Sequence, residues 1–323
     1  MADQLSLFQQ SHDEESALES RLTGLRRLAS RLPERLRMGT SSWTFPGWRG
    51  IVYPEGFTAN RLTTEGLRHY TRHPLLGTVG IDRGFYAPIP ERDLRRYAEQ
   101  LPPGFPCCTK APAAVTSPIR PGEVPAVQNG DFLNAERFLR EMLDPFARFF
   151  SEHCGPFILQ FPPFPVRWAP NPEAFAEQLD RFLAALPAAF RYAVEIRDSY
   201  LMTKDYTQVL QRHGAAHVYS YWTAMPRPGA QAAAHPPDLF SFTVVRLLLK
   251  PGRRYEEERR DFAPFDRLVR PDEAMRQEVA AIVRSGLAAG KDAFVLVNNK
   301  AEGSAPLTIE ALAGILAAPG AGR

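Results

Sequence analysis

The chain has few cysteines and no long apolar segment. Its three cysteines fit neither an even set of disulfide pairs nor a C-x-x-C metal or redox motif. No segment approaches the ~20 apolar residues that span a bilayer, and the first residues lack the basic start and continuous apolar stretch of a secretory signal. We therefore expect a soluble, cytoplasmic protein without a membrane partner, in which Cys107, Cys108 and Cys154 are buried thiols.

Recognisable metal, cofactor and nucleophile motifs are also missing. The seven histidines show no H-x-H or H-E-x-x-H spacing, so the sequence predicts no histidine metal site. A site for a hard cation, formed by Asp82, Glu195 and Asn299, remains an alternative. No G-x-S-x-G elbow indicates a serine hydrolase, and no motif identifies a cofactor.

Lysine is scarce among the positive charges. Of 39 basic residues only five are lysines, and the formal net charge is +3. Arginine binds phosphate and carboxylate with two parallel hydrogen bonds, but genome composition can produce the same excess, so the bias indicates anionic ligands only weakly. With 44% hydrophobic and 23% charged residues among 323, the chain has the composition of a globular protein with a large core.

Leucines at helical spacing mark the first element. They are interleaved with arginines and predict an amphipathic helix packed on the main body: Leu18, Leu22, Leu25, Leu28 and Leu32. The resulting division of the chain is a flexible tail over residues 1–13, the helix over 14–36, one domain over 37–316 and a C-terminal tail over 317–323.

Short apolar runs alternate with helical patterns along the rest of the chain. Eight runs predict strands, and they contain or end at Ser42, Asp82, Lys110, Gln160, Arg197, Trp222, Arg246 and Lys300. Eight strands alternating with helices predict an α/β fold, a single (β/α)8 TIM-type barrel. A doubly wound open sheet is the alternative, but no glycine-rich phosphate loop follows any strand.

Charged side chains stand at the ends of these strands, where a barrel of this type has its active site. Glu195 and Arg197 lie two residues apart on one strand, so their side chains project to the same side. Two interpretations are equally compatible with this pair. Glu195 is either a general base or substrate acceptor oriented by Arg197, or one half of a structural ion pair.

Lys110 and Arg246 place charge at the ends of apolar strands, which is unusual unless an anion meets it. They predict a clamp for a phosphate or carboxylate, and the alternative is that they pair with Glu195 or Asp82. The catalytic candidates are Glu195 and Lys110. The substrate-binding candidates are Arg197, Arg246, Asn298, Asn299, Gln160, Asp82, Trp43 and Tyr86. For the asparagines the alternative is turn hydrogen bonding, and for the aromatic rings it is plain packing.

Seven blocks of sequence carry a family resemblance. In chain order they are MGTSSWTFPGWRGIVYP, TVGIDRGFYAPIP, FPCCTKAP, GPFILQFPP, YAVEIRDSYL, VVRLLLKPG and AFVLVNNKAEGSAP. Together they resemble the successive blocks of the YecE-like family, domain of unknown function 72, over residues 37–316. The resemblance implies a TIM-type barrel, in agreement with the strand count, and implies no particular activity.

The chain departs from this family pattern in two regions. In the second strand, Gly80 replaces an acidic residue, Asp82 an asparagine and Gly84 a threonine. Histidines that relatives carry after the third, fifth, seventh and eighth strands are here Ser117, Asp198, Leu248 and Lys300. If those histidines transfer protons in relatives, this chain uses another acid or base, or is a binding protein without turnover.

The N-terminus contains a second resemblance. Residues Gln4, Leu5, Ser6, Leu7 and Phe8 match at every position the Gln-Leu-Ser/Asp-Leu-Phe peptide by which bacterial replication and repair proteins bind the sliding clamp. In such a peptide the amide enters a polar pocket and the Leu-Phe pair an apolar one, as the segment orders on binding. The partner-binding candidates are Gln4, Leu5, Leu7 and Phe8. The alternative is a chance pattern whose Leu7 and Phe8 fold back onto the barrel.

Two classes of function follow. The first is an enzyme, a hydrolase or lyase, that acts on a phosphorylated or nucleic-acid substrate at the barrel mouth and is recruited to DNA by the sliding clamp. The second is a non-catalytic barrel that binds a ligand or associates with the clamp. A small-molecule metabolic enzyme with a fortuitous tail motif is a variant of the first.

Overall fold

Eight parallel strands close into a barrel in the computed structural model, which describes the backbone of residues 2–318 and the side chains of residues 16–318. The strands are β1 Leu36–Thr40, β2 Thr78–Ile81, β3 Cys107–Lys110, β4 Cys154–Gln160, β5 Tyr192–Glu195, β6 Ala216–Tyr221, β7 Thr243–Leu247 and β8 Ala293–Val297. Strands β1 and β8 pair in parallel, with Leu36 opposite Ala293, and this pairing closes the sheet. Seven strands lie within the apolar runs that predict them, and β4 begins two residues before its run, so the TIM-type barrel is confirmed.

Helices between the strands form the outer layer. They are α1 Ala2–Ala29, α2 Ala59–Tyr70, α3 Glu91–Ala98, α4 Ala113–Thr116, α5 Ala135–Phe138, α6 Asp144–Phe149, α7 Pro172–Ala184, α8 Lys204–Arg212, α9 Pro228–Ala234, α10 Tyr255–Phe262, α11 Glu273–Ala288 and α12 Ala305–Ala317. A π-helical segment, Leu139–Leu143, joins α5 to α6. None of the helices within residues 2–318 combines the length and the apolar character of a membrane span.

Local sequence explains where several of these elements begin. The side chains of Thr58, Asn171 and Thr203 accept hydrogen bonds from backbone N–H groups in the first turns of α2, α7 and α8. Such caps satisfy donors that a helix start leaves unpaired. The strands are almost entirely buried, as parallel strands covered by helices on one face and by the barrel interior on the other must be.

The first helix differs from its predicted range at both ends. It runs from Ala2, and neither proline nor glycine interrupts the chain before Gly24. It ends at Ala29 instead of Leu36, because Pro33 has no N–H to donate and disfavours helical geometry in the residue before it. The side chains of the partner-binding candidates lie outside the described residues: Gln4, Leu5, Leu7 and Phe8.

Helix α1 packs against the C-terminal helix of the barrel. Leu18 and Leu22 are buried, and Arg21 forms an ion pair with Glu310 of α12. The described part of α1 therefore lies against the barrel through these side chains.

Candidate active site at the carboxyl ends of the strands

The charged residues singled out in the sequence meet at one end of the barrel. Lys110, Gln160 and Glu195 are the last residues of β3, β4 and β5, and Asp82 directly follows β2. Arg246 is the last but one residue of β7. Since the strands are parallel, these positions share the rim formed by the carboxyl ends, which is where TIM-type barrels bind their substrates.

Arg246 holds two carboxylates from opposite parts of the sheet. Its Nη1 donates to Glu195 Oε2 at 2.5 Å, and its Nη2 lies 3.3 and 3.2 Å from the two oxygens of Asp82. The side chain is 1% exposed. The alternative interpretation of Arg246, a pair with Glu195 and Asp82, is thus what the structure contains, and its fork is not free to clamp a phosphate.

Arg197 binds the other oxygen of Glu195. Its Nε and Nη2 both lie 3.0 Å from Oε1, and its guanidinium stacks on Trp222, 3.8 Å from the ring centroid. Its Nη1 makes no hydrogen bond to any residue in the described range 16–318. Arg197 therefore keeps one donor available at the rim, and Trp222 fixes its plane.

Glu195 is a poor proton acceptor in this setting. The side chain is fully buried, and each oxygen is occupied by an arginine. Burial alone would raise its pKa, but Arg246, Arg197 and Lys110 lower the pKa of Glu195 to about 2. The contacts of Glu195 match the alternative interpretation, an ion pair, and its geometry suits the positioning of two arginines.

Lys110 has a different environment from the other charges. It is 9% exposed, and its Nζ lies 3.4 Å from the centroid of the Phe85 ring. It makes neither a hydrogen bond nor an ion pair with any residue whose side chain the structure describes. Burial lowers its pKa from 10.5 to about 7, because the attraction of Asp82 is offset by Arg246 and Arg197.

The net charge of the rim depends on Lys110. Arg197 and Arg246 pair with Glu195 and Asp82, so a protonated Lys110 adds a positive charge that these carboxylates do not pair with. A pKa of about 7 leaves both forms populated at neutral pH. An anion bound at the rim would favour the protonated form of Lys110. Without a bound anion, the free amine is favoured.

The two asparagines after β8 hold the local chain. Asn298 Oδ1 accepts from the backbone N of Lys300 at 3.1 Å and from Lys300 Nζ at 3.3 Å. Asn299 Oδ1 accepts from Trp48 Nε1 at 3.1 Å and from the backbone N of Ala305 at 2.8 Å. The side-chain oxygens of both asparagines are therefore used in the turn after β8 and at the start of α12. Such turn hydrogen bonding is the alternative to ligand binding.

The remaining substrate-binding candidates differ in how far their side chains are packed or exposed. Trp43 contacts Tyr97 of α3 edge-on, with ring centroids 5.2 Å apart, so its ring packs against the helical layer. Tyr86 is 84% exposed beside Phe85. Gln160 is 2% exposed and forms no side-chain hydrogen bond with the described part of the chain.

The positions where relatives carry histidines supply no free proton-transfer group. Ser117 Oγ donates to the carbonyl of Ile119 at 2.7 Å, and Asp198 Oδ2 accepts from the backbone N of Phe164 at 2.7 Å. Lys300 is held by Asn298, and Leu248 is apolar. Lys110, by contrast, is a rim side chain whose pKa is lowered to about 7.

Sequence reasoning missed a second buried charge network beside the rim. Asp272 accepts from Tyr221 Oη at 2.8 Å and pairs with Lys250 at 3.0 Å. Glu302, which is fully buried, pairs with Arg276 at 3.0 Å. Asp272 is also the N-cap of α11, and a cap before a helical pattern was the only signal that could have indicated it.

Comparison with known proteins agrees with this architecture. The model of the family described as "Protein of unknown function DUF72" matches residues 37–322. The chain belongs to the DUF72 family. No protein with a curated description matches it.

Solved DUF72 structures share the fold. A DUF72 protein of Thermotoga maritima MSB8, TM1631, is 21% identical and aligns over 87% of this chain and 98% of its own, with a TM-score of 0.60. A DUF72 protein of Enterococcus faecalis V583, EF0366, is 15% identical and aligns over 87% and 97%, with a TM-score of 0.57.

Gly80 has a steric explanation. A Cβ atom at this position would lie 2.9 Å from Ser41 Cα and 3.1 Å from its carbonyl oxygen. An acidic side chain there requires β2 to move away from the chain that follows β1. Glycine at position 80, where the family pattern has an acidic residue, therefore allows β2 and the chain after β1 to approach closely.

Proposed function

We propose that the barrel rim is the active site of an enzyme that acts on a small phosphorylated substrate, with Lys110 as the group that exchanges a proton. One observation carries this proposal: Lys110 presents a largely buried amine without an acceptor, among charges that are already paired. A pKa near the working pH is what general acid–base catalysis requires, since both protonation states are then populated.

The substrate anion is assigned to Arg197 and Lys110. Arg197 has an available Nη1, whereas both terminal nitrogens of Arg246 are engaged by Glu195 and Asp82. An arginine and a lysine together suit the charge of a phosphate group. A carboxylate offers the same chemistry with less charge, so phosphate is the favoured class. Tyr86 offers an exposed ring for an apolar part of the substrate.

Binding of phosphate is tested by thermal unfolding with inorganic phosphate, pyrophosphate and phosphorylated metabolites, each beside its unphosphorylated counterpart. We expect stabilisation of the wild type that grows as pH falls through about 7, because Lys110 then carries its charge. Arg197→Met and Lys110→Met should lose the effect, and Lys300→Met, which changes a lysine held by Asn298, should keep it. Equal stabilisation of all four proteins would contradict the assignment.

Turnover is tested on the species that copurifies with the protein or that stabilises it most. Conversion by the wild type and not by Lys110→Met supports an enzyme. A species that binds through Arg197 but is returned unchanged supports the alternative, a non-catalytic ligand-binding barrel.

Recruitment by the sliding clamp is a second proposal, favoured by the complete match of Gln4, Leu5, Ser6, Leu7 and Phe8. It would bring a nucleic-acid substrate, or DNA itself, within reach of the barrel. Because the backbone of these residues lies within α1, binding as an extended peptide requires the first turns of that helix to unwind. The proposal is independent of the rim chemistry.

Clamp binding is measured by calorimetry with the full-length chain and a bacterial sliding clamp. We expect micromolar affinity, a range typical of a short segment that orders on binding (about −8 kcal/mol). The double variant Leu7→Ala, Phe8→Ala should not bind, while Ser6→Asp, which stays within the peptide pattern, should. Binding by the double variant, or none by the wild type, would refute recruitment.

A further inference from the structure

We propose that Lys110 forms an imine with a substrate that carries an aldehyde or ketone together with a phosphate group. This inference rests on the proposed function and narrows its substrate class. Acid–base chemistry needs only a proton at Nζ, whereas an imine needs a nitrogen lone pair that can approach carbon. The arrangement around Lys110 meets the second requirement.

The first observation is the absence of a partner for the amine. Lys110 lies at the end of β3 and faces Asp82 from β2, Glu195 and Arg197 from β5 and Arg246 from β7. The two carboxylates in this group are held by the arginines, at 2.5 Å and 3.0 Å for Glu195 and 3.2 Å for Asp82. Neither carboxylate lies within ion-pair distance of Nζ. The amine is therefore not fixed as an ammonium.

The second observation is the comparison with the other lysines. Lys300 is also buried and also contacts an aromatic ring, Tyr255 at 4.2 Å, but its Nζ donates to Asn298. Lys250 pairs with Asp272 at 3.0 Å, and Lys291 donates to the carbonyl of Asp238 at 2.5 Å. Lys204 is exposed. Of the five lysines, Lys110 is the one that is buried and without an acceptor among the described residues.

The protonation equilibrium supports the same conclusion. With a pKa of about 7, a large fraction of Lys110 is the free amine at neutral pH, whereas an ordinary lysine with a pKa of ~10.4 is free in only about four molecules in ten thousand. Burial and the neighbouring arginines produce this shift, and desolvation of lysine is one of the recognised ways to activate it as a nucleophile.

The covalent step balances without any further reactant. The Nζ lone pair attacks the carbonyl carbon, the π electrons move to oxygen, and one amine proton passes through water to that oxygen to give a carbinolamine. A second proton transfer expels the oxygen as water and leaves a C=N bond, so one amine and one carbonyl give one imine and one water. Hydrolysis reverses the step and restores the lysine.

The surroundings suit each stage of this step. The Phe85 ring covers one side of Nζ, with its centroid 3.4 Å away. Arg197 Nη1 can hold the phosphate of the same molecule. Once the imine is protonated, the carboxylates of Asp82 and Glu195 attract this cation.

Reductive trapping tests the proposal. Pyridoxal phosphate joins an aldehyde to a phosphate, and pyridoxal is its unphosphorylated counterpart. The intact protein is treated with either compound at low concentration and pH 7, reduced with borohydride, digested, and mapped by mass spectrometry. The reduced adduct on each of the five lysines is then quantified, with Lys300 as the internal control for a buried lysine.

We expect label on Lys110 and none on Lys300. Pyridoxal phosphate should label Lys110 at least about tenfold faster than pyridoxal, which corresponds to one charge-assisted hydrogen bond, and Arg197→Met should remove that preference. The rate should rise with pH with a midpoint near 7, as the amine loses its proton. Lys110→Met and Lys110→Arg should both abolish site-specific label, the second while keeping the positive charge.

Label spread over the exposed lysines, with Lys110 unlabelled, would overturn the imine. If phosphate compounds still stabilise the wild type through Arg197 in that case, the imine is wrong and the proposed function stands. If they do not, both proposals fail.

Discussion

Lys110 and Arg246 are both cations at the ends of apolar strands, yet their surroundings give them different chemistry. Arg246 is locked between Glu195 and Asp82, and those carboxylates raise its pKa against the opposing effect of burial. Lys110 has no such partner among the described residues, so burial dominates and lowers its pKa to about 7. The same kind of position thus holds an ion-paired guanidinium in one case and an amine without an acceptor in the other.

The titration of Lys110 predicts a pH dependence of stability. Between about 7 and 10.5 the unfolded chain holds a proton at this lysine that the folded chain lacks, so the free energy of unfolding rises with pH. Relative to Lys110→Met, the wild type should gain about 3–5 kcal/mol across this window. Urea unfolding of both proteins from pH 6 to 10.5 measures the difference, from which the other titrating groups cancel. A constant difference would show that Lys110 keeps its ordinary pKa.

At the scale of elements, the rim is shaped by how closely neighbouring strands approach. Gly39 of β1 and Gly80 of β2 both face backbone atoms of the adjacent segment. A Cβ at Gly39 would lie 1.9 Å from the carbonyl oxygen of Thr78. These glycines let the β1 and β2 segments approach, and Asp82 directly follows β2 at the rim.

The close approach predicts opposite effects of the same substitution. Gly80→Ala should destabilise the protein by about 1–3 kcal/mol, because the added methyl meets backbone atoms that cannot rotate away. Gly314→Ala in α12 should stabilise by up to about 1 kcal/mol, since nothing lies within 4 Å of its Cβ position and alanine favours the helix. Urea unfolding compares the two. Equal changes in the free energy of unfolding for the two variants would mean that there is room for a methyl group at Gly80.

At the scale of the whole molecule, closure of the barrel brings distant residues into one network. Asp82 follows β2 and Arg246 lies on β7, and these strands are not neighbours in the sheet. Their contact at 3.2 Å exists because both side chains reach across the same opening. The charge balance of the rim is therefore a property of the closed barrel.

This geometry predicts energetic coupling between Asp82 and Arg246. Arg246→Met alone should cost about 3–5 kcal/mol, because it removes a buried cation from Glu195 as well as from Asp82. A double-mutant cycle that combines Arg246→Met with Asp82→Asn should show a coupling of about 0.5–3 kcal/mol in the free energy of unfolding. The control pairs Asp82→Asn with Arg191→Met, whose partner Asp292 lies at the amino ends of the strands, and should be additive within about 0.5 kcal/mol. Additivity in both cycles would contradict the contact.

The number and order of the barrel strands, and their alternation with helices, follow from the sequence alone. Each apolar run is short, is bounded by a turn or helix pattern, and buries both faces, and these local properties are readable without knowing the neighbours. Eight such runs alternating with helices leave few closed arrangements, so the rim at which Lys110, Glu195 and Arg246 meet also followed. The end of α1 was missed by several residues, because helix ends depend on local breakers such as Pro33.

Which of the rim residues are free depends on contacts that form when the chain folds. Whether Arg246 binds a ligand or a carboxylate depends on Asp82, 164 residues away in the chain, and no local pattern records that contact. The same holds for Trp43, which packs on α3, and for Asn299, which is held by Trp48. Hydrogen bonds and ion pairs act over a few ångströms in space, so the pairing that leaves Lys110 without an acceptor exists only once the barrel has closed.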